Sequence, residues 1–287
     1  MSGTNRPRPF VRVVVAGLGA GLLAVPGFGA GCAEPYEDDA LGLDGVAVEP
    51  GSLAGVFGLQ STAVDQAEVP VFGKIDTGGI TASLVVRTWR GNDDDPAVYD
   101  EHITVCGVEN FETAGLLTIV PEVTLVAIPP ANAVLRVDHE SGSFTRETYR
   151  EYWAVRDLPD DEPLPTDKTS VVYYDMDDDR NPGTTIEATG LAVGQIYVAQ
   201  RKTVDQAGVV RSEDQSLGLS RVKKEGVVLD ATSDLLKTES ERTPHPDPRQ
   251  SWSVDARLAD DATCADVLDA QDDDRLPRRS PLPRNDG

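Results

Sequence analysis

Asp175, Asp177, Asp179, Asn181 and Gly183 stand at alternate positions of the run YYDMDDDRNPGTTI. Carboxylates at the first, third and fifth positions of a tight loop bring hard oxygen donors together. That donor set suits Ca2+, which takes six to eight oxygens at roughly 2.4 Å. The residue at the seventh position serves through its backbone carbonyl, so Asn181 need not use its side chain. The competing reading is an acidic surface turn in which Arg180 partly neutralises its neighbours. Carboxylates packed this closely repel one another unless a cation or solvent screens them.

The segment resembles the calcium loops of extracellular bacterial proteins, whose pattern is Asp-x-Asp-x-Asp-Gly. Arg180 occupies the glycine position and Ile186 stands at position 12, where an EF-hand carries its bidentate glutamate, so the loop is not an EF-hand. The resemblance implies a structural ion that fixes the turn ahead of Thr184 to Thr189. Other chemistry is sparse. Asp76-Thr77-Gly78 is a single copy of the aspartic-protease triplet, which works only as a pair of aspartates sharing a proton; followed by Gly79, it reads as a hairpin turn. His102, His139 and His245 form a metal site only if distant loops bring them together. No nucleophile elbow, Walker loop, dinucleotide glycine motif or Cys-x-x-Cys occurs. Trp89, Trp153 and Trp252 read as core residues, with a ligand cleft or glycan platform as the alternative.

The first 31 residues run from a basic start with Arg6, Arg8 and Arg12, through an apolar stretch from Val13 to Val25, to small residues ending at Gly31. This is the order of a signal peptide. The apolar stretch is shorter than the roughly 20 residues that a bilayer span needs. Gly29-Ala30-Gly31-Cys32 resembles the lipobox of bacterial lipoproteins, in which the cysteine thiol receives diacylglycerol before the signal is removed; Gly29 departs from the aliphatic residue usual there. The resemblance implies lipidation at Cys32 and a membrane held through that lipid. In such lipoproteins the next residue influences sorting, and Ala33, not aspartate, points to the outer membrane of the cell envelope. With Cys32 acylated, Cys106 and Cys264 remain as an even pair for a disulfide in an oxidising compartment. Closing so long a loop stabilises by at most about 5 kcal/mol in the chain-entropy model.

The chain carries 26 Lys plus Arg against 49 Asp plus Glu, a formal net charge of −23. The signal segment contributes three arginines and no acid, so the remainder is more acidic still. Nucleic acid and anionic lipid surfaces are therefore poor partners, while cations, basic proteins, neutral glycans and small molecules stay open.

Residues 32–52 hold the lipidated cysteine and a Gly- and Pro-containing acidic stretch suited to a flexible tether. Residues 53–268 form the body. Short segments rich in Val, Ile, Thr and aromatics alternate there with Gly, Pro, Asp and Asn clusters, which predicts strands and turns. The clearest are Ser83 to Arg90, Ile103 to Cys106, Leu116 to Ala127, Ala133 to Asp138, Gly194 to Val204 and Gly226 to Asp230. Pro121 makes the third of these an edge, a bulge or two strands. Thr145 to Arg156 fits a helix or a strand. Residues 269–287 carry no core pattern and read as a disordered tail. The expected class is mainly β: one antiparallel barrel of lipocalin-like, up-and-down type, or a two-sheet sandwich.

The function these features favour is a non-enzymatic cell-envelope lipoprotein whose β domain serves binding or surface interaction, with Ca2+ stiffening it. Two other classes remain: an exported or anchored hydrolase using scattered carboxylates, and a lipocalin-like carrier of a small apolar ligand. Two carboxyls facing across a cleft at roughly 5 to 9 Å mark the first. An enclosed cavity marks the second.

Overall fold

A strand buried on one face alternates inward and outward side chains, and the segment Ala131–Val137 does so without exception: Ala131, Ala133, Leu135 and Val137 are buried while Asn132, Val134 and Arg136 are not. The computed structural model describes residues 43–69, 73–92, 98–237 and 242–282. Its elements are β1 (Gly55–Val69), β2 (Gly73–Trp89), β3 (Val98–Asn110), β4 (Leu116–Ile119), α1 (Glu122–Ala127), β5 (Ala131–Val137), β6 (Ser143–Trp153), β7 (Thr184–Gly190), β8 (Gly194–Ser212), β9 (Gln215–Ala231), β10 (Arg242–Pro244), β11 (Trp252–Arg257) and α2 (Cys264–Asp272). No described helix is long and apolar enough to cross a membrane.

The strand pairings close on themselves. β1 pairs β2, β2 pairs β3, β3 pairs β5, β5 pairs β6, β6 pairs β8, β8 pairs β9, β9 pairs β11 and β11 returns to β1, every step antiparallel. The ring is an eight-stranded up-and-down barrel, and it selects the barrel over the sandwich. β4 and β7 bridge the far ends of β3 and β8, beyond the reach of β5 and β6. β10 lies along β1 past the point where β11 leaves it.

The interior is layered, and β8 shows the order: Val210, Gln206, Val204 and Lys202 follow one another inward-facing. One end is plugged by Val48, Leu53, Tyr99, Leu135, Val137, Phe144 and Val210. Next comes a belt of charge. Arg87 donates to Glu101 at 2.8 Å and to Asp255 at 3.0 Å. Arg146 reaches Glu101 at 2.5 Å and Asp255 at 3.1 Å. All four side chains are at most 3% exposed. Arg146 also donates to Gln206, Ser216 donates to Asp255 at 2.7 Å, and the Arg87 guanidinium lies 4.2 Å over the Phe57 ring. Beyond the belt sits an apolar layer of Leu59, Val85, Ile103, Tyr149 and Val204.

Outside, α2 and the chain after it cover the wall. Val267, Ala270, Leu276 and Leu282 pack against Ala82, Leu219, Trp252 and Val254. The Asp266 carboxylate accepts the Thr263 backbone N–H at 2.7 Å and so caps α2. The disulfide Cys106–Cys264 fastens α2 to β3, with Cα atoms 5.1 Å apart.

Several sequence expectations shift. The core reaches beyond residue 268, because Leu276 and Leu282 are buried; residues 283–287 lie outside the described residues. The stretch before the body is packed from 43 on: Val48 is buried and its N–H donates to His139 O at 3.0 Å. Leu116 to Ala127 divides at Pro121 into β4 and the short helix α1. Thr145 to Arg156 is strand for most of its length, and a register shift between Arg146 and Tyr149 keeps both buried. Asp76-Thr77-Gly78 is no turn; it lies within β2, where Gly78 passes so close to β1 that a Cβ would sit 2.0 Å from Ala63 O.

Burial opposes ionisation of Asp255, but Arg146 and then Arg87 outweigh it and hold the carboxyl below its ordinary range. A depressed folded value means the stability it contributes is present above the unfolded aspartate pKa of about 3.9 and disappears as pH falls through the folded value. Asp255→Asn leaves buried guanidinium charge without its counter-charge. It should cost about 3–5 kcal/mol in urea unfolding at neutral pH, and the variant should lose less further stability than the parent on acidification below about pH 4.

Candidate functional site

Past the apolar layer the barrel is hollow. β1 to β4 and β6 to β9 surround a cavity of about 590 Å³ whose apolar wall includes Val108, Trp153, Ile186, Val198, Val204 and Val222. Eight strands enclose a space that side chains can just fill or that one small ligand can occupy, and here part of it is open. The volume falls within the roughly 300–1,000 Å³ typical of small-molecule sites. Phe111, Leu191 and Leu235 line the cavity while remaining 36%, 72% and 63% exposed, so they form an apolar rim at its mouth.

Four charged residues belong to the described wall: Glu151, Lys202, Lys224 and Arg242. Glu151 Oε2 is 3.1 Å from Lys202 Nζ, and that ammonium lies 4.6 Å from the Trp153 ring centre. Lys224 Nζ is 3.6 Å from Asp65 Oδ2. Burial lowers the Lys224 pKa to about 8; Asp65 pulls the other way, while Lys202 and Arg242 add repulsion. The cavity thus joins a largely apolar wall to a small set of fixed charges.

The acidic loop is a second candidate. It leaves the isolated bridge Tyr173–Val155 and enters β7. Met176 N–H donates to Gly183 O at 2.9 Å and Gly183 N–H to Tyr174 O at 3.2 Å, which pinches the loop shut. Arg180 takes φ +73°, the left-handed conformation that the calcium-loop pattern assigns to glycine, and Asp178 takes φ +56°. Carboxylate oxygens of Asp175, Asp177 and Asp179 lie within 4.8 Å of one another, a cluster that can hold a metal ion. Asp177 Oδ2 accepts from Thr124 Oγ1 at 2.8 Å, Thr185 N at 2.8 Å and Thr184 Oγ1 at 3.3 Å. Its Oδ1 is buried with no hydrogen-bond partner. Burial works against ionisation of Asp179, but hydrogen bonds from Thr185 and Asn181 prevail and keep it below the usual carboxylate range. Asn181 acts through its own donors: its N–H and Nδ2 reach Asp179 at 2.8 and 3.0 Å.

The other sequence candidates fall out as follows. Cys32 lies outside the described residues. Cys106 and Cys264 are disulfide-bonded. His102 contacts Asn132, His139 contacts Val48 O and His245 contacts Asp247 O, so the three histidines sit in separate surroundings. Trp252 packs in the outer core, Trp89 is 43% exposed, and Trp153 joins the cavity wall. Sequence reasoning missed Glu151, Lys202 and Lys224; the available signal was a charged residue in phase with Val204 and Val222 on strands of period two. Glu101 and Asp255 are held between arginines in the core, and the described cavity wall contains one carboxylate, Glu151, not a facing pair.

Asp177→Ala would leave the Thr185 N–H without its acceptor, while the Thr124 hydroxyl keeps Thr185 O at 3.1 Å. A loss of about 1–3 kcal/mol in urea unfolding is expected, against a change within about 0.5 kcal/mol for Asp161→Ala on the exposed neighbouring loop.

No protein-family model matches the chain, and no curated protein or solved structure matches it either.

Proposed function

We propose that this chain is an exported, lipid-anchored binding protein whose barrel holds a small, largely apolar molecule and whose acidic loop carries a structural Ca2+. The observation that supports the binding reading most is the cavity of about 590 Å³ inside a closed up-and-down barrel, with an apolar wall and an apolar rim. Export is supported by the signal-like order of the first 31 residues, by Gly29-Ala30-Gly31-Cys32, and by a disulfide of the kind that persists in oxidising compartments. The lipid on Cys32 would tether the barrel to the envelope, on the outer membrane by the Ala33 reading. Calcium is favoured by three converging carboxylates, a buried Asp177 oxygen without a partner and a left-handed Arg180.

Titration of the purified chain with N-phenyl-1-naphthylamine, an uncharged fluorophore that brightens in apolar surroundings, should give saturable binding. Val204→Trp combined with Val222→Trp should abolish it by filling the cavity; unchanged binding by that double variant would place the probe elsewhere. Calcium should raise the melting temperature, with a stabilisation set by mass action of about 2.7 kcal/mol at a hundredfold excess over Kd. The variant Asp177→Ala/Asp179→Ala should show no calcium-dependent shift. Cys32→Ser should move the protein out of the membrane fraction.

A further inference from the structure

Lys202 on β8 and Lys224 on β9 are directly opposed partners in the strand ladder, and both line the cavity. Like charges directly opposite one another on a sheet face are destabilising, and more so where the surroundings are apolar. Asp65 and Glu151 each approach one of the two ammonium groups. Yet the described wall still carries three cations, Lys202, Lys224 and Arg242, against one carboxylate, in a chain whose acids outnumber its bases by 49 to 26. A protein this acidic has turned a cationic lining toward this cavity. A ligand with a negative group would sit where its charge offsets the repulsion between the two lysines, while its apolar body meets Val204, Val222 and Trp153.

We propose that the cavity selects an amphipathic anion, a compact apolar body ending in one anionic group such as a carboxylate or phosphate ester, with that group held between Lys202 and Lys224. This rests on the reading of the barrel as a small-molecule binder and names the class of molecule. Burial brings the Lys224 pKa to about 8. An anion beside it favours the charged form, so anion binding takes up a proton and weakens as pH rises through that value. The groups facing it are Lys202 on β8, Asp65 on β1, Arg242 on β10 and, beyond Lys202, Glu151 on β6.

The experiment measures decanoate, decyl phosphate, decanol and decylamine by calorimetry against the full processed chain at pH 7. Decanoate or decyl phosphate should bind at least about tenfold more tightly than decanol, as charge-assisted hydrogen bonds allow; which of the two is tighter identifies the head group. Decylamine should be weakest. Lys224→Met should reduce anion affinity about tenfold and leave decanol within about twofold, and Lys224→Arg should restore the preference. Should Lys224→Met not fold, the wild-type pH profile decides: anion affinity falls from pH 7 to 9.5 while decanol affinity stays flat. Equal affinity for decanol and both anions, or tightest binding of decylamine, overturns the anion assignment and leaves the carrier reading standing. Binding of none of the four overturns the carrier reading itself.

Discussion

Between Arg87, Glu101, Arg146 and Asp255 two positive and two negative side chains are locked into a square inside the barrel, each cation touching both anions. The four come from β2, β3, β6 and β11, so the square spans the barrel from wall to wall and ties strands far apart in the ring. Desolvating four charges is costly unless every one is paired, and removing one partner leaves a charge that neither water nor protein neutralises. The geometry of the ring is therefore tied to a single register on each contributing strand, because a slip of one residue would turn the charged side chain outward. The square also divides the interior: an apolar plug closes one side, and the apolar layer and cavity lie on the other.

Much of the strand framework was legible because period two is a local signal. Ala133 to Asp138 and Gly194 to Val204 fall within β5 and β8 to within a residue or so, and the Cys106–Cys264 pair followed from parity. The interior polar residues were not legible for a physical reason. An arginine or lysine among valines is ordinarily the solvent-facing member of an alternating strand. Only closure of the ring puts Arg146 and Lys202 inside, and closure depends on contacts between β1 and β11, near the two ends of the body. Leu276 and Leu282 escaped because they pack singly, with no period around them. Pro121 was a sound warning of a break, but its sequel is a helix that exists to bring Thr124 under Asp177.

The acidic loop was legible as a cluster since its carboxylates are contiguous in sequence, whereas the distinction among them needed the fold. Asp177 alone is buried, and through Thr124, Thr184 and Thr185 it joins α1, the loop and the start of β7. Asp175 accepts backbone N–H groups of the same loop, while Asp179 takes the Asn181 N–H on one oxygen and the Asn181 amide and the Thr185 hydroxyl on the other. Asp177 and Asp179 thus both tie the loop to β7 while Asp175 shapes it from within, and β7 carries Ile186 into the cavity lining.

The disulfide joins residues 158 positions apart, and the covalent circle it draws takes in everything from the middle of β3 to the start of α2. The long proline-broken loop from Asp157 to Lys168 lies within that circle. Exposed loop tips are preferred sites of proteolytic nicking, after which two pieces of chain are ordinarily held together by noncovalent contacts alone. Here a single cut in that loop would open the circle into one branched molecule, with both pieces still crosslinked and their strands still side by side. The sulfur bridge thereby converts an exposed connection of the barrel from a point of failure into one where scission carries no loss of mass.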